Sequence, residues 1–165
     1  MANLKHIVGN EQETSRKPPR YIEGTHNASL SSNIDDKTMH EVYLWPFMDS
    51  LRAGTASVMA SYQRINNSDA YHNSKVLNGL LKTELGFQGF VVSDWFAHHS
   101  GLSSALAGLD MAMPTAPLWS DGNLTMMVQN GSIPESRLDD MAVRILAPWY
   151  RFAPFENPGF GIPQN

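Results

Sequence analysis

The 165-residue chain contains no cysteine, so no disulfide braces it and no thiolate can serve as nucleophile or metal ligand. That absence neither requires nor excludes an oxidising compartment. Basic charge is scarce: 12 Lys and Arg stand against 16 Asp and Glu, a formal charge of -4, and no basic run extends beyond Arg16-Lys17 and Arg20. The electrostatic footprint of a nucleic-acid binder is missing. No apolar run approaches the ~18 residues of a membrane-spanning helix, and Met1-Ala2-Asn3-Leu4-Lys5-His6 lacks the basic-then-apolar layout of a signal peptide. Neither nucleic acid nor membrane is an expected partner. His98-His99 point to different faces and have no third ligand at metal spacing, so no metal and no cofactor are expected.

What is present is an alternation of helical and strand patterns. Met39, Tyr43, Phe47 and Leu51 recur at four-residue spacing behind Asp35-Asp36, a helix that Pro46 should kink and Gly54 should close. Ser57 to Tyr62 follows as a strand ending in a phenol. Ser74 caps a helix whose Leu77, Leu80, Leu81 and Leu85 face inward. The apolar run Gly89-Phe90-Val91-Val92 then reads as a strand buried on both faces, delivering Ser93-Asp94-Trp95 at its polar end. A short helix from Ser103 to Ala107 precedes a further strand, Gly108 to Met113, stopped by Pro114. Leu124 to Gln129 and a final helix carrying Leu138, Met141, Ala142 and Ile145 complete the pattern, with Asp139-Asp140 on an exposed face. This βα alternation implies a parallel α/β fold. It puts Tyr62, Asp94 and the Met113-Pro114 turn on the face at the C-terminal ends of the strands, where such folds keep their sites. A buried strand delivering a carboxylate beside an indole suits sugar chemistry, although an Asp after a strand is as often the N-cap of the next helix.

Leu80-Leu81-Lys82-Thr83-Glu84 followed, after four residues, by Gly89-Phe90-Val91-Val92-Ser93-Asp94-Trp95-Phe96-Ala97 resembles the signature of glycoside hydrolase family 3, in its fungal β-glucosidase form. Lys5-His6 with Asn10-Glu11-Gln12-Glu13, Tyr43 to Phe47, Ser61-Tyr62-Gln63, Ala107 to Met111 and Asp139 to Arg144 extend the likeness in the family's order. The resemblance implies that residues 1–150 are the C-terminal part of a (β/α)8 barrel, incomplete because a whole one takes ~250 residues. Residues 151–165 would be a linker toward a second domain. It also implies retaining hydrolysis of β-glucosides such as cellobiose or aryl and alkyl glucosides. Asp94 would be the attacking carboxylate, Lys5 and His6 would hold glucose hydroxyls, Tyr62 would steady the nucleophile, and Trp95 would pack on the sugar. In the family the acid/base is a glutamate beyond the barrel, so none is assigned here; Glu41 and Glu84 stand on helices that do not reach the Asp94 end. Ile7-Val8-Gly9-Asn10 after His6, in place of a Pro-Gly-His loop, favours the β-glucosidase branch over the N-acetylglucosaminidase branch. Thr115 to Gly122 is shorter than the family's corresponding loop. The alternative is a truncated, inactive product that binds sugar weakly. Sequons at Asn27, Asn66, Asn123 and Asn130 accord with a secreted parent glycoprotein.

Overall fold

The computed structural model describes residues 1–11, 13–14, 16 and 29–152. Three strands, β1 (Asn3–Ile7), β3 (Ser57–Ala60) and β6 (Phe90–Val92), lie parallel in the spatial order β1-β3-β6, so strands successive in the sheet are joined through intervening helices. The segment 108–113, expected as a strand, makes one parallel bridge, Val92 with Met111. The reason is local: Asp110 N and Met111 N both donate to the Val91 carbonyl, at 2.9 and 3.0 Å, so the ladder doubles up instead of advancing. The sheet is not closed into a barrel among the described residues. A second small sheet joins β2 (Ser31–Ser32), β4 (Arg64–Ile65) and β5 (Ser68–Asp69) in the order β2-β4-β5.

The helices that cover this sheet depart from the expected winding in two places. The helix expected over 36–51 is α1 (Asp36–Thr38), a wider π turn (Met39–Leu44) and α2 (Trp45–Arg52). Pro46, which has no N–H to donate, falls where the π turn passes into α2. Met39 and Phe47 are buried as the spacing predicted, and the wider turn buries Leu44 as well. Lys75–Glu84 is also π-wound. Its start is capped not by Ser74 but by Asn73, whose Oδ1 accepts from Val76 N at 3.1 Å. Val76, Leu77, Leu80 and Leu81 from this helix pack on Val58, Val91 and Leu109 in the main core. Each fully buried side chain of this kind contributes about 2 kcal/mol.

Gly89 immediately precedes β6 at a point where no side chain fits, because a Cβ there would lie 2.1 Å from the Ala56 carbonyl oxygen. Beyond β6 come α3 (Leu102–Ala107), α4 (Asn123–Gln129) and α5 (Glu135–Phe152). Helix α5 runs past the expected domain end at 150, and residues 153–165 of the expected linker lie outside the described residues. Trp119, from the 115–122 segment, packs against both the main core and a smaller one of Ala105, Ile133 and Met141. No helix among the described residues is long and apolar enough to cross a membrane.

Behind β6 the helix layer carries a buried ionic cluster that the sequence reading missed. Asp110, its side chain without exposure, pairs with Lys82 and Arg137 at 2.8 Å each. Asp140, read as an exposed helix residue, binds Arg137 and Arg144 at 2.7 Å each. Burial pushes the Lys82 ammonium down to about 8, against the opposing pull of Asp110.

Candidate active site

The candidate site forms where β1, β3 and β6 end. In β1, Leu4 pairs with Val58 and Ile7 with Ala60, so Lys5 and His6 together face the single residue Met59. Such a bulge re-aims side chains at a sheet's rim. Lys5 is exposed and His6 half-buried. The chain after β3 is pinned to the chain after β1: Ser61 Oγ donates to Ile7 O at 3.1 Å, and Gln63 Nε2 donates to Val8 O at 2.7 Å. Those bonds fix Tyr62 between them.

Asp94 follows β6 and is 6% exposed. Its Oδ1 accepts from Trp95 N at 2.6 Å. Its Oδ2 lies 3.2 Å from His6 Nε2 but has no aligned hydrogen bond. The cap alternative fails, because the next helix begins at Leu102. Residues 93–97 form a tight turn instead: Ala97 N donates to Asp94 O at 3.0 Å, Phe96 N donates to Met113 O at 3.1 Å, and Met113 N donates to Ser93 Oγ at 2.8 Å. Tyr62, Asp94 and the Met113 turn therefore share one end of the sheet, as the alternation implied. The Tyr62 hydroxyl donates to the Trp95 carbonyl at 2.7 Å. Burial first, then the Asp94 charge, pushes this phenol's pKa up. The Trp95 indole is 54% exposed and meets Phe96 edge to face at 6.1 Å.

Burial lowers the pKa of His6 more than Asp94 raises it, and the Lys5 and Arg16 charges lower it further. The imidazole is thus neutral at pH 7, a directional donor and acceptor beside a carboxylate. Arg16 was overlooked in the sequence. Its guanidinium stands 4.6 Å over the Tyr62 ring and pairs with Glu13 at 2.9 Å. The available signal was a charged pair three residues apart in the loop leaving the Lys5-His6 strand. Glu84 pairs with His40 at 2.9 Å instead of approaching Asp94. His98, buried, bonds Ser104 Oγ at 2.9 Å and packs on Trp119. No group of three or more His, Cys, Asp or Glu residues suited to a metal occurs among the described residues. Two hollows, of about 190 Å³ beside Ile34 and Asn66 and about 450 Å³ beside Ala56 and Gly89, do not include these residues in their linings.

Residues 20–147 match the Glycosyl hydrolase family 3 N terminal domain. The chain belongs to glycoside hydrolase family 3. It is 59% identical over 166 residues to "Probable beta-glucosidase M" of Aspergillus niger, a match covering 99% of this chain and 21% of that protein. A 57% identical match to "Probable beta-glucosidase A" of Aspergillus oryzae covers 92% of this chain and 18% of that one. Among solved structures, a Chaetomium thermophilum beta-glucosidase is 55% identical with a TM-score of 0.81, over 92% of this chain and 18% of the other. DesR, a beta-glucosidase from Streptomyces venezuelae solved in complex with D-glucose, is 31% identical with a TM-score of 0.78, over 92% and 20%. The family 3 chain thus spans about a fifth of the length of its curated relatives.

Proposed function

We propose that the chain is the nucleophile-bearing part of a retaining β-glucosidase, built as the C-terminal portion of a (β/α)8 barrel. The single observation that carries this reading is the Asp94 carboxylate. It is buried at the end of β6, with one oxygen fixed by Trp95 N–H and the other turned toward His6 without an aligned bond. A buried carboxylate oxygen 3.2 Å from a neutral imidazole, at the rim where the strands end, is poised to attack. Oδ2 attacks the anomeric carbon, the aglycone oxygen departs, and water later cleaves the glucosyl ester. Tyr62 steadies the turn that carries the nucleophile by bonding the Trp95 carbonyl. His6 and Lys5 bind glucose hydroxyls, and Arg16 lines the same end of the sheet. The exposed indole of Trp95 offers its face to a pyranose. The departing oxygen needs a proton from a second carboxyl about 5 Å from the first. Glu13, the other carboxylate in this cluster, is committed to Arg16 and Asn10, and no residue of the chain is assigned that role. The substrate class is a terminal β-linked glucoside, cellobiose or an aryl or alkyl glucoside, and the setting is extracellular.

The test is a full-length hybrid in which these 165 residues replace the matching segment of the Aspergillus niger relative. It should hydrolyse nitrophenyl β-glucoside. Asp94→Asn should lower kcat by at least about 10,000-fold while the hybrid stays folded. A loss of only a fewfold would refute the assignment.

A further inference from the structure

We infer that Asp110 is a positioning residue for Asp94, holding β6 at the depth that presents the carboxylate to the anomeric carbon; this rests on the β-glucosidase reading. Both cations that reach Asp110, Lys82 and Arg137, pair with Oδ1 at 2.8 Å. That leaves Oδ2 to accept from Val91 N at 2.8 Å. Val91 lies in β6, three residues before the nucleophile. A carboxylate therefore occupies the place where a neighbouring strand would offer a backbone carbonyl, and it draws its two counter-charges from different helices. Lys82 comes from the helix before β6, and Arg137 from α5. Arg144, also on α5, donates to the Phe87 carbonyl at 2.7 Å just ahead of the strand.

The same stretch carries the support forward. Ser93 N donates to Met111 O at 2.9 Å, Ser93 Oγ accepts from Met113 N, and Met113 O accepts from Phe96 N. On this side the backbone around Asp94 hangs on residues 110–113, and that stretch is fastened to the helix layer through the Asp110 carboxylate and, one residue earlier, through the Leu109 carbonyl, which accepts from Arg137 at 2.7 Å. The bond from Val91 N satisfies a buried amide of the nucleophile's own strand, so the ion cluster sets where that strand lies as well as how stable it is. The charges converge on Asp110 and the displacement it prevents is felt at Asp94.

The experiment uses the full-length hybrid with a fluorinated β-glucoside that traps the glucosyl ester. Three quantities are measured: the rate of ester formation on Asp94, the inhibition constant of glucose, and thermal unfolding. Three variants are compared with the parent: Asp110→Asn, Asp110→Glu, which keeps the charge but moves Val91, and Asp110→Asn with Lys82→Met, which removes the orphaned cation. Labelling should slow by about 100-fold in the folded variants, the cost of an ångström-scale misplacement, while glucose inhibition moves by less than about threefold. A folded variant that labels at the parent rate overturns the inference. So does failure of all three to fold, since Asp110 would then be holding the whole domain. If the parent itself labels at a residue other than Asp94, or at none, the β-glucosidase reading falls and this inference with it.

Discussion

The two ends of β6 hold opposite electrostatic arrangements. Behind the strand, Lys82, Asp110, Arg137, Asp140 and Arg144 satisfy one another and the nearby carbonyls almost completely. At its front, Asp94 Oδ2, Asn10 Oδ1 and Gln63 Oε1 are buried acceptors without an aligned partner. A folded chain rarely leaves such groups unmet. Charge that is fully paired fixes where a strand sits; acceptors without an aligned bond, near an exposed indole, suit a ligand rich in hydroxyl donors. The two carboxylates differ in surroundings: both Asp110 oxygens are bonded, whereas Asp94 Oδ2 has no aligned bond.

Removing a carboxylate from each end of β6 gives the sharpest contrast. In the full-length hybrid, Asp110→Ala strands two buried cations and should cost about 3–5 kcal/mol of stability. Asp94→Asn removes an ill-satisfied buried charge and should change stability by less than about 1 kcal/mol. Denaturant titration reads both, and equal losses would erase the distinction between the two ends. A step smaller, Trp95→Ala should weaken glucose binding by about 1–3 kcal/mol and leave stability within about 0.5 kcal/mol, as calorimetry with glucose would show. Unchanged affinity would put the sugar elsewhere. Tyr62→Phe deletes the bond to the Trp95 carbonyl and should cost about 1 kcal/mol, visible as a small fall in unfolding midpoint.

The smallest expected effect is a pH slope. Burial holds His6 and His98 below their usual pKa, so the unfolded chain binds more protons just below pH ~6.5 than the folded one does. Stability from these groups is complete above that pH and is lost as pH falls through it. His98→Gln, which keeps a donor toward Ser104, should flatten the slope between pH 7 and 5. An unaltered slope would place its origin elsewhere.

The position of Asp94 was legible because an apolar run bounded by glycine and a polar triplet has one simple meaning in a parallel sheet. The placing of Tyr62, Asp94 and the Met113 turn at one end of the sheet followed from the same alternation. The ionic cluster was not legible, since Lys82, Asp110 and Arg137 are far apart in sequence and each alone reads as an ordinary surface charge. Asp140 keeps a side chain 40% exposed, but its pairing with Arg137 and Arg144 went unread for that reason. Arg16 escaped notice because a loop's path is set by tertiary contacts that no periodicity records. The single-bridge form of 108–113 depends on two amides sharing the Val91 carbonyl, a detail of pairing that an apolar pattern does not carry.

The central claim, that Asp94 attacks the anomeric carbon, is tested most directly by chemical rescue. Asp94→Gly in the full-length hybrid would be given dinitrophenyl β-glucoside, whose leaving group needs no proton, together with azide. If Asp94 is the nucleophile, azide enters the vacated space, restores turnover, and yields α-glucosyl azide, inverted at the anomeric carbon. Turnover that azide does not raise, or a product of β configuration, would contradict the account.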